Sequence, residues 1–374
     1  MAGLYIHIPF CVSKCRYCAF YSVAPAQGSG LPARFLRALD AELQTLPKEF
    51  VPQTIFIGGG TPTALSVSEL QQLFDSLNRR VDVSKVTEWS CESNPGTLDW
   101  KRAKLLREAG VNRMSLGVQS FDPANLAFLG RVHSSVDSKE AYRLLRDAGF
   151  ENINLDLMYG IPGSSHEILE RELALIENLD PEHLACYCLM FEKGTELARL
   201  RNAGSLAEVE DDEQLEQYRL IRETLGNAGY RHYEISNFGK PGYPCRHNLL
   251  YWSGGDYIGC GPAAHSHWEG LRYGNISNVE AYCEAVLSGE SPRDSEERLE
   301  PEAKARETLI MGLRRLDGVS RREFQQTTGF DYRALRRSEI DSLCSLGLLE
   351  ERDGFLRLTE KALFVSDSVF RELV

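Results

Sequence analysis

The sequence predicts an α/β protein with a large domain over residues 1–290 and a small C-terminal domain over 300–374. Three observations predict it. Short β-like runs alternate with longer amphipathic stretches, the pattern of a parallel sheet with helices packed on it. A chain of 374 residues is long for one small domain. Near 288–302 the composition shifts to SGESPRDSEERLEPE, which is polar, charged and carries two prolines, as expected of a linker or exposed loop.

The strand candidates, in order, are 4–8, 54–57, 87–91, 113–118, 153–158, 183–189 and 231–235. Helical patterns lie between them at 32–46, 68–77, 98–109, 136–148, 167–179 and 211–228. Ser66 and Thr97 stand where N-caps are expected, and Gly110, Gly149 and Gly229 follow helical runs as left-handed stops. Six or seven such units can close into a barrel or stop short of one. Periodicity alone does not separate that from an open doubly wound sheet. Beyond the linker, helical patterns at 302–316, 321–328 and 333–346 precede two apolar runs around Asp353-Gly354, a hairpin signal. Three helices and a hairpin resemble a winged-helix module. Glu350, Glu351, Asp353 and Glu360 make its wing acidic, which favours a packing or lid role over DNA binding.

A formal charge of −12 argues against a generic nucleic-acid surface. A chain of this size buries roughly 75% of its unfolded surface and needs no staples. There is no signal-peptide pattern and no apolar run of eighteen residues, so a cytoplasmic location is expected, with membrane contact peripheral at most.

Cys11, Cys15 and Cys18 lie in YIHIPFCVSKCRYCAF with C-x3-C-x2-C spacing. A four-iron cluster is usually closed by four thiolates, so three would leave one iron open. Spacing alone also leaves a zinc site with His7, or unrelated thiols, as readings. A disulfide fits poorly with a reducing compartment. The other seven cysteines are scattered and read as small buried apolar residues.

Further along, Gly58-Gly59-Gly60-Thr61-Pro62 follows the second strand, as a tight turn or as a place where backbone N–H groups approach a ligand. Glu92 ends the third strand, Gln119 the fourth, Arg131 follows twelve residues later, and Asp156 lies in the fifth. Polar residues at the C-terminal ends of barrel strands point into a shared site, although each alone could equally cap a neighbouring helix.

The cysteine run resembles the cluster loop of radical S-adenosylmethionine (SAM) proteins. More narrowly, YIHIPFC is similar to the opening of the HemN/HemW family, which holds an oxygen-independent coproporphyrinogen oxidase and a haem chaperone. The resemblance covers nearly the whole chain through RMSLGVQSF, NLDLMYGIPG, YEISNF and HNLLYW. It implies a three-quarter β/α barrel with a [4Fe–4S] cluster held by Cys11, Cys15 and Cys18 after the first strand. It also implies a SAM site made of Tyr5, Gly59, Gly60, Thr61, Glu92, Gln119, Arg131 and Asp156. By chemistry, the Arg131 fork suits a carboxylate, Asp156 or Gln119 suits ribose hydroxyls, and Glu92 accepts from an amino group.

The HNLLYW segment looks like the haem-associated signature of the chaperone branch, with His247 as the candidate iron ligand among apolar neighbours. The residue-level alternative is a hydrogen-bonded structural histidine. His265 and His267 are weaker candidates. Two departures separate the chain from the oxidase branch: Phe20 stands where that branch carries an extra cysteine, and only ten residues precede Cys11. Ala19 stands where many relatives have an acidic residue. The resemblance therefore implies a haem chaperone, with an electron donor and a haem-accepting protein as partners. The oxidase, which decarboxylates coproporphyrinogen III, is the alternative.

Overall fold

A computed structural model describes residues 2–26 and 28–374. Six strands run parallel in sequence order: β1 (Ala2–Ile8), β2 (Thr54–Gly59), β3 (Glu88–Ser93), β4 (Arg113–Gln119), β5 (Ile153–Tyr159) and β6 (His183–Cys188). A closed barrel of this type needs eight such units, so the architecture is three-quarters of one. On one side β7 (Arg231–Glu234) and β8 (Asn237–Gly239) turn back antiparallel to β6. On the other, β9 (Asp256–Cys260) adds parallel to β1. Antiparallel β10 (His265–Trp268), β11 (Leu271–Asn275) and β12 (Arg293–Arg298) continue outward from it. The twelve strands form one open sheet, ordered β12-β11-β10-β9-β1-β2-β3-β4-β5-β6-β8-β7.

The strand pattern explains both faces. Leu4, Ile6 and Ile8 of β1 are fully buried. Tyr5 and His7, between them, line the inner cavity, because successive side chains alternate across a strand. Helices Leu31–Leu43, Val67–Arg80, Trp100–Glu108, Ser135–Asp147 and His166–Leu179 cover the outer face. The first presents Phe35, Leu36, Leu39 and Leu43, a helical stripe, to the core. Ser66 caps its helix with a reciprocal bond from Glu69, as expected. Thr97 does not cap: Asp99 accepts from Arg102 N–H and starts the helix two residues later than expected.

Sequence periodicity missed β8 to β12 and the helices Pro123–Leu129, Glu196–Asn202, Arg246–Trp252 and Val279–Leu287. Most of these strands are five residues or fewer, and their polar residues break the apolar alternation. The stretch expected as a linker instead carries β12, whose six residues are all exposed and which pairs with β11 at the sheet edge. Charge on a free edge discourages further pairing.

After β12 come helices Pro301–Gly312, Arg321–Thr328 and Arg337–Ser345, then β14 (Leu349–Arg352) and β15 (Phe355–Leu358), with β13 (Val319–Ser320) completing a three-stranded sheet. The hairpin turns at Asp353 and Gly354, both with positive φ, the geometry that matches strand twist. This winged-helix-like arrangement is stitched to β7: Leu316 N–H donates to Tyr233 O at 3.1 Å and Ile235 N–H to Arg314 O at 3.2 Å. Its apolar residues Phe324, Tyr332 and Leu373 belong to the same core as Leu4 and Ile55.

Candidate functional site

The sheet encloses a cavity of about 1410 Å³. All twelve residues expected from the sequence line it: Tyr5, Cys11, Cys15, Cys18, Gly59, Gly60, Thr61, Glu92, Gln119, Arg131, Asp156 and His247. Register explains the gathering. Tyr5 pairs with Phe56, Glu92 with Ser115, Ser115 with Asn154, and Gly117 with Asp156, so inward positions form rows across β1 to β5.

At the C-terminal end of the strands lies the cysteine loop. Of the ten cysteines, only Cys11, Cys15 and Cys18 line the cavity, and all are free thiols. The loop is tied down by Cys11 N–H donating to Val23 O at 3.0 Å and Arg16 N–H to Leu129 O at 3.1 Å. Burial pushes the Cys18 thiol up, and the nearby Cys15 and Cys11 sulfurs push the same way. Among the described residues no three His, Cys, Asp or Glu side chains converge on a single metal ion. That disfavours zinc, which needs its ligands on one centre. It is compatible with an iron–sulfur cube, where each thiolate meets a different iron.

Around the loop the polar side chains are already organised. Arg131 Nη1 donates to Cys15 Sγ at 3.3 Å, while Nη2 donates to Asn94 Oδ1 and, at 2.5 Å, to Gly117 O. Its Nε is buried without a partner. A Cβ at Gly117 would lie 2.7 Å from Asn94 Oδ1 and 3.3 Å from Arg131 Nη2, so only glycine leaves the guanidinium its place. Asn94 Nδ2 also donates to Thr61 Oγ1 at 2.7 Å, and Thr61 Oγ1 is 3.5 Å from Cys11 Sγ. Gln119 reaches the cavity through a bulge, with φ of 66°.

The glycine turn corrects one expectation. Its N–H groups are spent within the protein: Gly59 donates to Glu92 Oε2 at 3.1 Å, Gly60 to Ile8 O at 2.8 Å and Thr61 to Phe10 O at 2.7 Å. What the glycines supply is room. A Cβ at Gly59, where φ is 102°, would sit 2.5 Å from the His7 ring.

Glu92 and Asp156 form a half-buried acidic pair at the cavity wall. Burial and then Asp156 push Glu92 up to about 8; burial pushes Asp156 up to about 6. Asp156 accepts from Asn154 Nδ2 at 2.6 Å and Ser115 Oγ at 3.4 Å. Buried Arg113 lies near the pair and lowers both. Its own guanidinium reaches His183 Nδ1 at 3.3 Å.

The structure puts His247 at the opposite, N-terminal end of the strands. Helix Arg246–Trp252 starts on Glu88, the first residue of β3, which accepts from the N–H groups of Arg246 at 2.9 Å and His247 at 3.0 Å. The His247 residue is 1% exposed. Its Nδ1 is 2.8 Å from Thr54 Oγ1 and its Nε2 is 2.8 Å from the Tyr251 hydroxyl. Burial, then Arg113, hold it down near about 3, so it is neutral. Both ring nitrogens are occupied, so a metal contact at His247 would require breaking one of these bonds. His267 is 9% exposed, both its ring nitrogens are buried, and Nδ1 lies 3.3 Å from Asp256 Oδ1. His265 is exposed. Phe20 is 69% exposed and lies at the cavity wall beside the cysteine loop.

Sequence reasoning missed Asn94, Arg113, Ser115, Asn154 and Tyr187, all of which line the cavity. Period-two reading finds them: Asn94 lies two residues after Glu92, Asn154 two before Asp156, and Arg113 and Ser115 precede Gly117 at the same spacing.

Residues 5–176 match the family model of the radical SAM superfamily, and residues 299–365 match the HemN C-terminal domain. The chain is 36% identical to the haem chaperone HemW of Bacillus subtilis, over 99% of this chain and 98% of that one. It is 35% identical to the haem chaperone HemW of Escherichia coli, over 96% of this chain and 94% of that one. Among solved structures, coproporphyrinogen III oxidase HemN from Escherichia coli superimposes with a TM-score of 0.86 at 20% identity, covering 100% of this chain and 89% of that one. At that identity the likeness concerns the fold.

Proposed function

Because the chain belongs to the HemW family of the radical SAM superfamily, we propose that it is a haem chaperone: it binds haem and hands it to a haem-accepting protein. The observation that carries this reading is full-length similarity to haem chaperones, from the cysteine loop to the C-terminal helices. Membership of the superfamily implies a [4Fe–4S] cluster and SAM. The donor set fits both, since three free thiols and a band of hydrogen-bonding side chains share one cavity. In this reading Cys11, Cys15 and Cys18 would hold the cluster, which would supply electrons to bound SAM. The Arg131 guanidinium, held beside Asn94 and Gly117, would pair with the carboxylate, Glu92 would accept from the amino group, and Asp156 or Gln119 would take the ribose hydroxyls. Tyr5, Gly59, Gly60 and Thr61 shape the wall. His247 belongs to the haem-binding region as the residue that fixes helix Arg246–Trp252 in place. An electron donor completes the set of partners. No helix among the described residues is long and apolar enough to cross a membrane.

The oxidase alternative is disfavoured at one position. Phe20 stands where the oxidase branch carries an additional cysteine, and no other thiol lines the cavity. The deciding experiment pairs two assays on the reconstituted protein under anaerobic conditions. Haem titration followed by difference absorbance is expected to give micromolar affinity or better, about −8 kcal/mol. Incubation with coproporphyrinogen III, SAM and a reductant is expected to yield no protoporphyrinogen IX. Catalytic turnover in the second assay would replace the chaperone with the oxidase.

A further inference from the structure

We propose that Asn94 is a positioning residue that links two sulfurs of the cysteine loop through a ring of hydrogen bonds and thereby sets the reduction potential of the cluster; this rests on the reading of Cys11, Cys15 and Cys18 as cluster ligands and deepens it. Three segments meet at its side-chain amide. Arg131 Nη2 donates to Asn94 Oδ1, while Arg131 Nη1 donates to Cys15 Sγ at 3.3 Å. On the other side Asn94 Nδ2 donates to Thr61 Oγ1 at 2.7 Å, and Thr61 Oγ1 lies 3.5 Å from Cys11 Sγ. The contacts run from Cys11 through Thr61, Asn94 and Arg131 to Cys15, and the cysteine loop closes the ring.

Chemistry fixes the direction of every proton in it. A guanidinium only donates, so the amide atom facing Arg131 is the oxygen and the atom facing Thr61 is the nitrogen. Thr61 Oγ1 therefore accepts from Asn94, and its own proton is free for Cys11. A thiolate that ligates iron has no proton to give. Both arms of the ring thus end as donors to sulfur: a neutral hydroxyl at Cys11 and a cationic N–H at Cys15. Hydrogen bonds to the sulfurs and nearby charge are among the factors that set the potential of an iron–sulfur cluster. Donors favour the reduced state, because it carries more negative charge.

The mount is rigid. Thr61 is 1% exposed, and its N–H donates at 2.7 Å to the carbonyl of Phe10, the residue before Cys11. Asn94 precedes Pro95, which favours its extended backbone, with φ of −108° and ψ of 144°. Its carbonyl accepts from Thr97 N–H at 3.0 Å and from Thr97 Oγ1 at 2.9 Å. With the backbone pinned on both sides, the amide holds Thr61 and Arg131 at a fixed separation.

The test is an EPR-monitored titration of the reconstituted full-length protein with dithionite and redox mediators, without SAM. Asn94→Asp keeps the shape and the acceptor for Arg131 but has no proton to give Thr61. The Thr61 hydroxyl then turns from Cys11 to the carboxylate, and a negative charge is added. Reduction should become at least about tenfold less favourable, a shift of about 59 mV to more negative potential for one electron. Thr61→Val removes only the donor to Cys11 and should shift the midpoint the same way, by less. Iron content and circular dichroism report whether each variant is loaded and folded. A residue that merely held the loop would lower iron content or melting temperature and leave the midpoint of the loaded fraction unchanged. Both shifts are required. A midpoint within about twofold of the parent's equilibrium in either loaded variant, or a shift the other way, would show that Asn94 does not set the potential, since a change in Asn94→Asp alone is only its added charge. If Asn94→Asp takes up no cluster, Thr61→Val decides alone. If the parent takes up no four-iron cluster, the cluster reading falls and the role of Asn94 falls with it.

Discussion

The two ends of the cavity solve opposite problems. At the C-terminal end, the polar groups are spent on one another. The N–H groups of Gly59, Gly60 and Thr61 are all donated internally, Arg131 is held by Asn94 and Gly117, and the exposed chemistry is three thiols. At the N-terminal end, His247 is hydrogen-bonded through both ring nitrogens to Thr54 and Tyr251, and its helix starts on Glu88.

The sharpest break between the ends comes from the cysteines. Replacing Cys11, Cys15 or Cys18 by Ser should abolish the broad absorption near ~400 nm expected of the reconstituted cluster, with haem affinity unchanged. A variant that keeps four irons per chain would sink the cluster assignment, and a parallel loss of haem binding would show that the two ends are not independent. A smaller effect is expected from Gly117→Ala. Its Cβ would crowd Asn94 and Arg131, so SAM affinity should fall about tenfold or more, roughly 1.4 kcal/mol, with iron content intact. Equilibrium dialysis with labelled SAM reads this directly, and undiminished binding would mean that Arg131 is not part of the site.

The ends should also differ in pH response. Burial pushes Glu92 up to about 8 and Asp156 up to about 6, whereas it holds His247 down to about 3 and lowers His267. A carboxyl raised on folding keeps a proton that the unfolded chain releases. Stability therefore falls as pH rises from the ordinary carboxyl range through the raised value. Histidines held neutral by burial work the other way below their ordinary value of ~6.5, so thermal melts of the protein without SAM should drop as pH rises from about 6.5 to 8. The slope should be shallower in Glu92→Gln; other buried carboxyls act alike in both proteins, so the difference isolates Glu92. Parallel slopes would mean that Glu92 is ionised throughout. The smallest effect expected is on stability: His247→Gln should lower the melting temperature by about a few degrees, because it breaks the bonds to Thr54 and Tyr251.

The alternation of strands and helices was legible because β1 to β6 bury apolar residues on their outer face at period two. The cysteine spacing was equally plain, since a cluster loop is local in sequence. The antiparallel extension was not. Its strands are short, β12 buries nothing, and pairing between β9 and β1 joins residues some 254 positions apart, as Ala2 with Asp256. The site followed the same divide. Residues named by local motifs line the cavity, while Asn94 and Arg113 needed the inward rows, and the partners of His247 needed the fold. The family resemblance, not periodicity, selected the incomplete barrel over an open sheet.

An open sheet has two rims, and each invites a neighbouring molecule to add a strand. One rim, β12, carries the sequence RDSEER and deters pairing by charge. The other, β7, is occupied by the 314–316 segment through Leu316 and Ile235. The C-terminal region is thus a stopper for the sheet as well as a module beside it. A chain truncated before residue 299 would leave β7 bare, and would be expected to polymerise edge to edge on concentration while the intact chain stays dispersed.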